Sequence, residues 1–417
     1  MSQDNEYTTS KVQPKDFISG WWVALIISGT ALSLPILYLG AEIALGLGLK
    51  DALISFIVST LILTVMSCIT TLIGNKTHLS TYMILHFSFG KNGAKIVNFI
   101  FGVILIGWFS VSLELLAIAI QDTALNYFGL KLPTQLIIVL GSVFITLTTL
   151  FGIQSIQRLA NIAVPILTIF LLYVFYLSIQ KVDSFDYFLE YLPQSNDLNV
   201  FKAISVLVGS SILFPVLMAD FSRFIKNDKQ SFIAVLGLAI GTPFALVIAS
   251  IPAIETGEVD IIKIISNYEL VLPAFMLLFI STWVANSVNL YSATLTFSTL
   301  NTKWPYKTVT VIGSLLGSLI ALLGILDYLF NFLEILGTFA PAISSIYVIH
   351  FFFVKKQNYN INEIEQWGRE ALLSLFLSSV ITVFTFIEYF TITSVYFIDS
   401  FILGGVFYTL LMRKQFK

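Results

Sequence analysis

The stretch GSSILFP, residues 209–215, places a glycine, two serines and a proline in the middle of a long apolar run. A stretch with the same glycine and proline spacing, GTALSLP, occupies residues 29–35 in the first apolar run. Proline donates no backbone hydrogen bond and clashes with the carbonyl four residues earlier, so Pro35 and Pro215 each leave a helical carbonyl unpartnered. Each stretch is therefore predicted to break a helix, with a simple proline kink as the alternative.

The composition around these stretches is that of a membrane protein. Of the 417 residues, 57% are hydrophobic and 11% are charged, whereas a soluble domain carries about 25% charged residues. Apolar windows long enough to cross a bilayer recur about twelve times along the chain. The sequence therefore predicts an all-α membrane protein with about twelve transmembrane helices. It contains no HExxH motif, P-loop or basic stripe, so an enzyme and a nucleic-acid partner are not expected.

The two breaks also predict an internal repeat. Gly29 and Gly209 open matching stretches in the first and the sixth apolar runs. In transporters built from inverted repeats, the discontinuous helices are the corresponding members of the two halves, and the binding site lies between them near the midplane. We therefore predict a five-plus-five inverted repeat with broken helices 1 and 6, followed by two C-terminal helices.

The placement of charge predicts the orientation of the chain. Most of the 22 Lys and Arg residues fall on the side that holds the N-terminus when loops are assigned alternately. Positive charge marks the cytoplasmic side, so a multi-pass protein of the plasma membrane with both termini in the cytoplasm is expected. The predicted divisions are an N-terminal tail at 1–18, one transmembrane domain at 19–412 (first repeat about 19–180, second repeat about 200–354, additional helices about 370–412) and a C-terminal tail at 413–417.

Five segments resemble one family when they are taken in this order and spacing. They read IGNKTHLSTYMILHFSFGKNG (73–93), IGWFSVS (106–112), FGIQSIQRLANIAVP (151–165), GSSILFPVLMADFSRF (209–224) and WVANSVNLYSA (283–293). The chain resembles the nucleobase–cation symporter-1 family and, within it, bacterial cytosine permeases. The resemblance implies a secondary transporter that imports a nucleobase or related heterocycle together with a coupling ion, working as a monomer in membrane lipid and without a cofactor.

The same resemblance assigns roles to residues of a substrate site. Trp108 matches the tryptophan on which a planar substrate stacks, and Asn286 matches the asparagine that hydrogen-bonds its edge. Ser210 and Ser211 occupy the unwound part of the sixth run that faces the substrate. From the sequence itself, Asn289 follows Asn286 by three residues, so both carboxamides are expected on one helix face.

Two departures from the cytosine permeases leave the substrate open. Leu105 stands where those permeases have a glutamine, and Ser211 stands where they have a second aromatic ring. Phe109 and Phe214 are the candidates to replace that ring. A purine, an allantoin or hydantoin, and a thiamine-precursor pyrimidine are alternatives to cytosine, and a non-transporting membrane sensor of the same fold is an alternative of another class.

The coupling ion is also left open between sodium and a proton. In sodium-coupled relatives two hydroxyl side chains precede the substrate-site asparagine, but here those positions are Val284 and Ala285, which supply no oxygen ligands. No firm metal site is therefore predicted, although Ser281 and Thr282 would offer hydroxyls if the helix register differed. Glu114 is a carboxylate within the third apolar run, and an acid inside a membrane is a candidate proton carrier or a structural group.

Overall fold

The computed structural model describes residue 7 and residues 9–193, 198–301, 303–386, 392–393 and 395–413, and all regular elements in this part are helical. This confirms the predicted all-α class for the described residues. The helices are α1 (Gly20–Ala31), α2 (Leu34–Leu47), α3 (Leu49–Thr77), α4 (Thr81–Phe128), α5 (Thr134–Thr149), α6 (Ile153–Gln180), α7 (Asp186–Leu189), α8 (Val200–Ser211), α9 (Leu213–Leu217), α10 (Ala219–Ser222), α11 (Asp228–Thr256), α12 (Ile261–Ser266), α13 (Val271–Leu300), α14 (Tyr306–Leu322), α15 (Leu329–Ile349), α16 (Arg369–Phe386) and α17 (Tyr396–Met412).

Several of these helices are long and apolar enough to cross a bilayer. Within the described residues six helical stretches meet this criterion, and the bent pair α1 and α2 counts as a seventh if it forms one span. Helices α5, α14 and α17 are apolar but shorter. The total of about twelve spans, and the assignment of the last two helices as additions to the repeat, therefore remain predictions.

The first predicted break is present. Helix α1 ends at Ala31, α2 begins at Leu34, and their axes differ by 58°. Ser33 between them has an extended backbone conformation. Pro35 lies in the first turn of α2, where a missing backbone N–H costs nothing because that group has no helical partner.

The second break is milder than predicted. Helix α8 stops at Ser211, but Ile212 keeps right-handed helical angles (φ −60°, ψ −27°), and the stretch from Val200 to Ser222 still forms one apolar span. The carbonyls near the proline are satisfied by neighbouring helices. Thr70 donates to the Pro215 carbonyl at 2.6 Å, and the Tyr347 hydroxyl donates to the next carbonyl at 2.7 Å. Side chains thus take over the bonds that the interrupted helix does not make.

Helix packing is reciprocal between the two halves of the chain. Helices α1 and α2 pack on α11, whereas α8, α9 and α10 pack on α3, and α4 packs on α13. This is the exchange of partners that two structurally equivalent halves would produce, although the exact boundaries of the halves stay predictions. Glycines permit the closest approaches: a Cβ on Gly237 of α11 would lie 2.2 Å from the Ala24 carbonyl oxygen of α1.

We predict that Gly237→Val destabilises the protein, because the new side chain would push α11 away from the backbone of α1. Overpacking of this kind costs about 1–3 kcal/mol. Thermal unfolding in detergent should show a clear fall in melting temperature. Leu236→Val, at the neighbouring exposed position, is the control and should change the melting temperature little. Equal stability of the two variants would contradict the close α1–α11 contact.

Candidate functional site

A small cavity lies where the break between α1 and α2 meets α4, α8 to α10 and α13. Its volume is about 70 Å³, several times the roughly 10–15 Å³ that one water molecule requires, which suits a small molecule. None of its lining residues carries a charge. The lining consists of Thr30, Ser33, Pro35, Ile36, Leu105, Trp108, Ser112, Ser210, Leu213, Phe214, Leu217, Phe221, Ala285, Val288, Asn289 and Ser292.

Aromatic side chains from three helices contribute flat apolar surface to this cavity, one of them Phe221 of α10. Trp108 of α4 is partly buried, and its indole meets the Phe332 ring edge-on, with centroids 5.5 Å apart and an interplanar angle of 79°. Phe214 of α9 also lines the cavity. Phe109, the other candidate for a second ring, is fully buried outside the lining and packs against Gly317 of α14. The structure therefore brings Trp108 and Phe214 together and leaves Phe109 in the core.

The two asparagines of α13 occupy different positions. Asn289 lines the cavity, whereas Asn286 is fully buried behind it. Asn286 Nδ2 donates to the Phe109 carbonyl at 3.1 Å, and Asn286 Oδ1 accepts from Asn289 Nδ2 at 3.2 Å. This chain of bonds orients the Asn289 carboxamide, whose oxygen has no hydrogen-bond partner within the part of the chain that the structure describes. Asn289 therefore presents the amide to the cavity, and Asn286 holds it in place.

The two serines of the second break lie 3.4 Å apart at their hydroxyls but differ in their access to the cavity. Ser210 lines the cavity and donates to the Leu207 carbonyl at 3.0 Å. Ser211 is buried and lies outside the lining. A serine that keeps its own hydrogen bond to the backbone can still accept one from a ligand, so Ser210 is the available hydroxyl of this pair.

The candidate ion-coupling residues lie away from the cavity. The Glu114 carboxylate accepts a hydrogen bond from the backbone N–H of Leu326 at 3.1 Å, in the turn that follows α14. Ser281 and Thr282 are buried one turn before the cavity-lining part of α13. The structure thus gives Glu114 a structural contact and does not bring these three residues to the cavity.

Apolar groups fill the contact between the first broken helix and α13. Val284 is fully buried, and a Cβ on Gly29 would lie 2.5 Å from Val284 Cγ1 and 3.0 Å from Val164 Cγ2. Ala285, the next residue, lines the cavity with a methyl group. A hard cation such as sodium needs several oxygen ligands, and the side chains here offer none.

Four hydroxyl side chains of the lining were not predicted as site residues from the sequence. Ser112 follows Trp108 by four residues, and Ser292 follows Asn289 by three. Such spacings place side chains on one face of a helix, so periodicity around the two anchor residues could have found them. Thr30 and Ser33 lie at the first break itself.

Comparison with known proteins identifies relatives that match most of the chain. The sequence profile of a family described as permease for cytosine/purines, uracil, thiamine, allantoin matches residues 14–368. The cytosine permease of Escherichia coli strain K12 is 27% identical over 324 residues, which cover 77% of this chain and 75% of the permease.

Solved structures show the same fold at low sequence identity. A closed conformation of Mhp1, a nucleobase-cation-symport-1 family transporter with bromovinylhydantoin bound, superposes with a TM-score of 0.86 at 17% identity, covering 99% of this chain and 95% of that one. A Na+-coupled sialic acid symporter in a substrate-bound outward-open state gives a TM-score of 0.69 at 16% identity, with coverage of 97% and 93%.

Proposed function

The chain belongs to the family of permeases for cytosine/purines, uracil, thiamine and allantoin, and from this membership we propose that it imports a nucleobase-type heterocycle by ion-coupled alternating access. Its relatives are permeases, and the chain is a multi-pass membrane transporter rather than an enzyme. The observation that carries the choice of substrate class is the uncharged cavity that combines the Trp108 ring with the Asn289 amide.

The chemistry of the lining favours a neutral, planar ring with an amide-like edge. An indole face provides offset stacking for such a ring. A carboxamide is both donor and acceptor, so Asn289 can pair with adjacent C=O and N–H groups of a pyrimidine, purine or hydantoin. A charged substrate would have to leave water without a compensating charge, which is costly.

The remaining lining residues bear on which heterocycle fits. Leu105 and Val288 present apolar side chains to the cavity, so they cannot pair with further polar groups of a ligand. Hydroxyls from Ser112, Ser210 and Ser292 are the other polar groups available. Similarity to a cytosine permease favours cytosine, a purine or uracil. The polar partner that is missing at Leu105 keeps an allantoin, a hydantoin or a thiamine-precursor pyrimidine as the alternative.

The position of the cavity between two packed groups of helices supports alternating access. One group holds the two interrupted helices with α3 and α11, and the other holds α4 and α13 with α5 and α14. Rocking one group against the other would expose the cavity first to one side of the membrane and then to the other. A sensor of the same fold would bind the heterocycle but would not move it, so uptake into vesicles distinguishes the two.

We predict that Trp108→Ala abolishes heterocycle binding, because it removes the stacking surface, whereas Trp108→Phe retains part of it. The measurement is a thermal-shift screen of the purified protein against nucleobases, allantoin, hydantoins and thiamine-pathway pyrimidines, since a specific ligand raises the melting temperature. Uptake by reconstituted vesicles follows for the compounds that bind. Trp304→Ala, at an exposed tryptophan, is the control, and binding that survives Trp108→Ala would refute the stacking role.

We predict that replacing Asn289 and replacing Asn286 have different effects on ligand affinity and on stability. Asn289→Ala should lower ligand affinity roughly three- to tenfold, which corresponds to about 1 kcal/mol for one hydrogen bond. Its effect on stability should be the smaller of the two, because the space left by the side chain opens to the cavity and a water molecule there can donate to Asn286 Oδ1. Asn286→Ala should lower affinity and also destabilise the protein by about 1–3 kcal/mol, because the buried Phe109 carbonyl loses its donor. Titration of ligand binding and thermal unfolding check both effects. A stable Asn286→Ala variant with intact affinity would exclude the positioning role.

We predict that transport is independent of sodium, because Val284 and Ala285 provide no ligands beside the first break. Replacing sodium by choline should leave the uptake rate unchanged in wild-type vesicles. The double variant Val284→Ser with Ala285→Thr restores two hydroxyls, and we expect it to make ligand binding sensitive to sodium. A steep sodium dependence of the wild-type protein would show that other oxygens complete an ion site.

A further inference from the structure

A fully buried acid lies next to the cavity and has no role in the site described above. Asp220 belongs to α10, and the following residue, Phe221, lines the cavity. Asp220 Oδ1 accepts a hydrogen bond from the backbone N–H of Thr81, at the start of α4, at 2.8 Å. Asp220 Oδ2 is buried and makes no hydrogen bond within the described part of the chain. One oxygen of this carboxylate is therefore buried without a hydrogen bond of its own.

A tyrosine connects this acid with the cavity. Tyr82 of α4 is fully buried, and its hydroxyl lies beside the Asp220 carboxylate and beside the hydroxyls of Ser292 and Thr296. Like Asp220 Oδ2, the Tyr82 hydroxyl makes no hydrogen bond of normal geometry among the described residues. Ser292 in turn lines the cavity. Oxygen atoms that can both donate and accept thus lead from the cavity through Ser292 and Tyr82 to Asp220.

A permanent positive charge lies beside the acid. Arg223 is fully buried, and its Nε donates to the Asp220 backbone carbonyl at 3.1 Å. Its other guanidinium nitrogens donate to the Tyr7 carbonyl at 2.8 Å and to the Tyr291 hydroxyl at 2.9 Å. The Arg223 carbonyl is hydrogen-bonded to His78 Nδ1 at 2.9 Å. The titratable and charged groups around Asp220 are Arg223, Tyr82, Tyr291, Tyr347 and His78.

This environment makes two protonation states of the acid accessible. The ionised carboxylate is balanced by the nearby guanidinium, and the Tyr82 hydroxyl can turn to donate to Oδ2. The protonated carboxyl avoids the cost of a buried charge, and its O–H can donate to the Tyr82 oxygen in turn. Arg223 opposes a metal cation and a proton alike at this place, whereas burial favours the neutral, protonated carboxyl. A proton also needs only one carboxylate oxygen, whereas a metal cation needs several oxygen ligands, so the arrangement favours a proton.

We propose that Asp220 carries the coupling proton of the transport cycle, an inference that rests on the proposed transport function. A proton from water in the open cavity passes through the hydroxyls of Ser292 and Tyr82 to Asp220 Oδ2, each hydroxyl accepting one proton and giving up another. The N-terminal segment closes the opposite side, since the backbone N–H of Val12 donates to the His78 carbonyl and that of Ile18 donates to the Phe224 carbonyl. Separation of these contacts would let the proton leave towards the predicted cytoplasmic side.

The test uses the full chain reconstituted in lipid vesicles with labelled cytosine, uracil and allantoin. Wild-type protein should accumulate at least one of them when the outside is more acidic than the inside, without sodium. Asp220→Asn keeps the oxygen that accepts from the Thr81 N–H but cannot ionise. It should lose at least tenfold in gradient-driven accumulation while it still exchanges labelled for unlabelled compound across the membrane.

The matched control is Asp399 in the last helix, α17, which is also fully buried. Its carboxylate accepts hydrogen bonds from the backbone N–H groups of Ile392 at 3.0 Å and Thr393 at 2.9 Å. Asp399→Asn should keep the wild-type response to the proton gradient. Asp220→Glu, which retains an acid, should recover part of the accumulation that Asp220→Asn loses. Wild-type accumulation by Asp220→Asn would overturn the proposal.

Further outcomes distinguish a failure of the proposed proton site from a failure of the proposed transport function. If Asp220→Asn cannot be reconstituted, Tyr82→Phe is used in its place, because it removes only one hydroxyl. The Tyr82→Phe variant should retain exchange but lose most gradient-driven accumulation. Unchanged accumulation by this variant overturns the proposal. Wild-type accumulation that follows a sodium gradient alone overturns the proton site and leaves the transporter intact. Wild-type protein that neither accumulates nor exchanges any of the three compounds overturns both.

Discussion

An unpaired backbone group is intolerable against lipid, and this constraint governs the architecture around the cavity. At the first break the chain leaves the helix at Leu32 and Ser33 and changes direction by 58°. The groups released there are acceptable only because they lie at a protein interior that also holds polar side chains. At the second break, Thr70 and Tyr347 take over the carbonyl bonds instead, so the helix continues without a sharp bend.

Within the same protein interior, the cavity lining and the buried charged groups lie in different places. The lining of the cavity is neutral, with aromatic and amide groups suited to a flat heterocycle. The charged groups Asp220 and Arg223 lie one layer away, fully buried behind Phe221. Because a buried charge without compensation is costly, such a pair is a point at which binding of a cation can be coupled to movement of the surrounding helices.

Steric fit at the first broken helix bears on the coupling ion. Gly29 allows the methyl groups of Val284 and Val164 to approach its backbone closely, and these side chains supply no oxygen ligand for a sodium ion. The proton coupling proposed above instead requires a group that changes charge during the cycle. The hydroxyls of Tyr82 and Ser292 lie between the neutral cavity and the buried acid Asp220.

The sequence alone determined the membrane class and the break at residues 29–35, because composition and proline chemistry are local properties of the chain. The resemblance to a family predicted Trp108 as a substrate-stacking residue, and the structure places its side chain in the cavity lining. The sequence also marked Asn286 and Asn289 as one pair, but helical spacing could not decide which of them reaches the cavity. Only the packing of α13 against α4 places Asn289 at the lining and Asn286 behind it. Likewise, the sequence shows Asp220 only as an acid near the end of an apolar run. Its complete burial depends on the packing of α3, α4 and the N-terminal segment around it. Long-range contacts, which no local pattern encodes, decide which face of each helix is buried, exposed or available to a ligand.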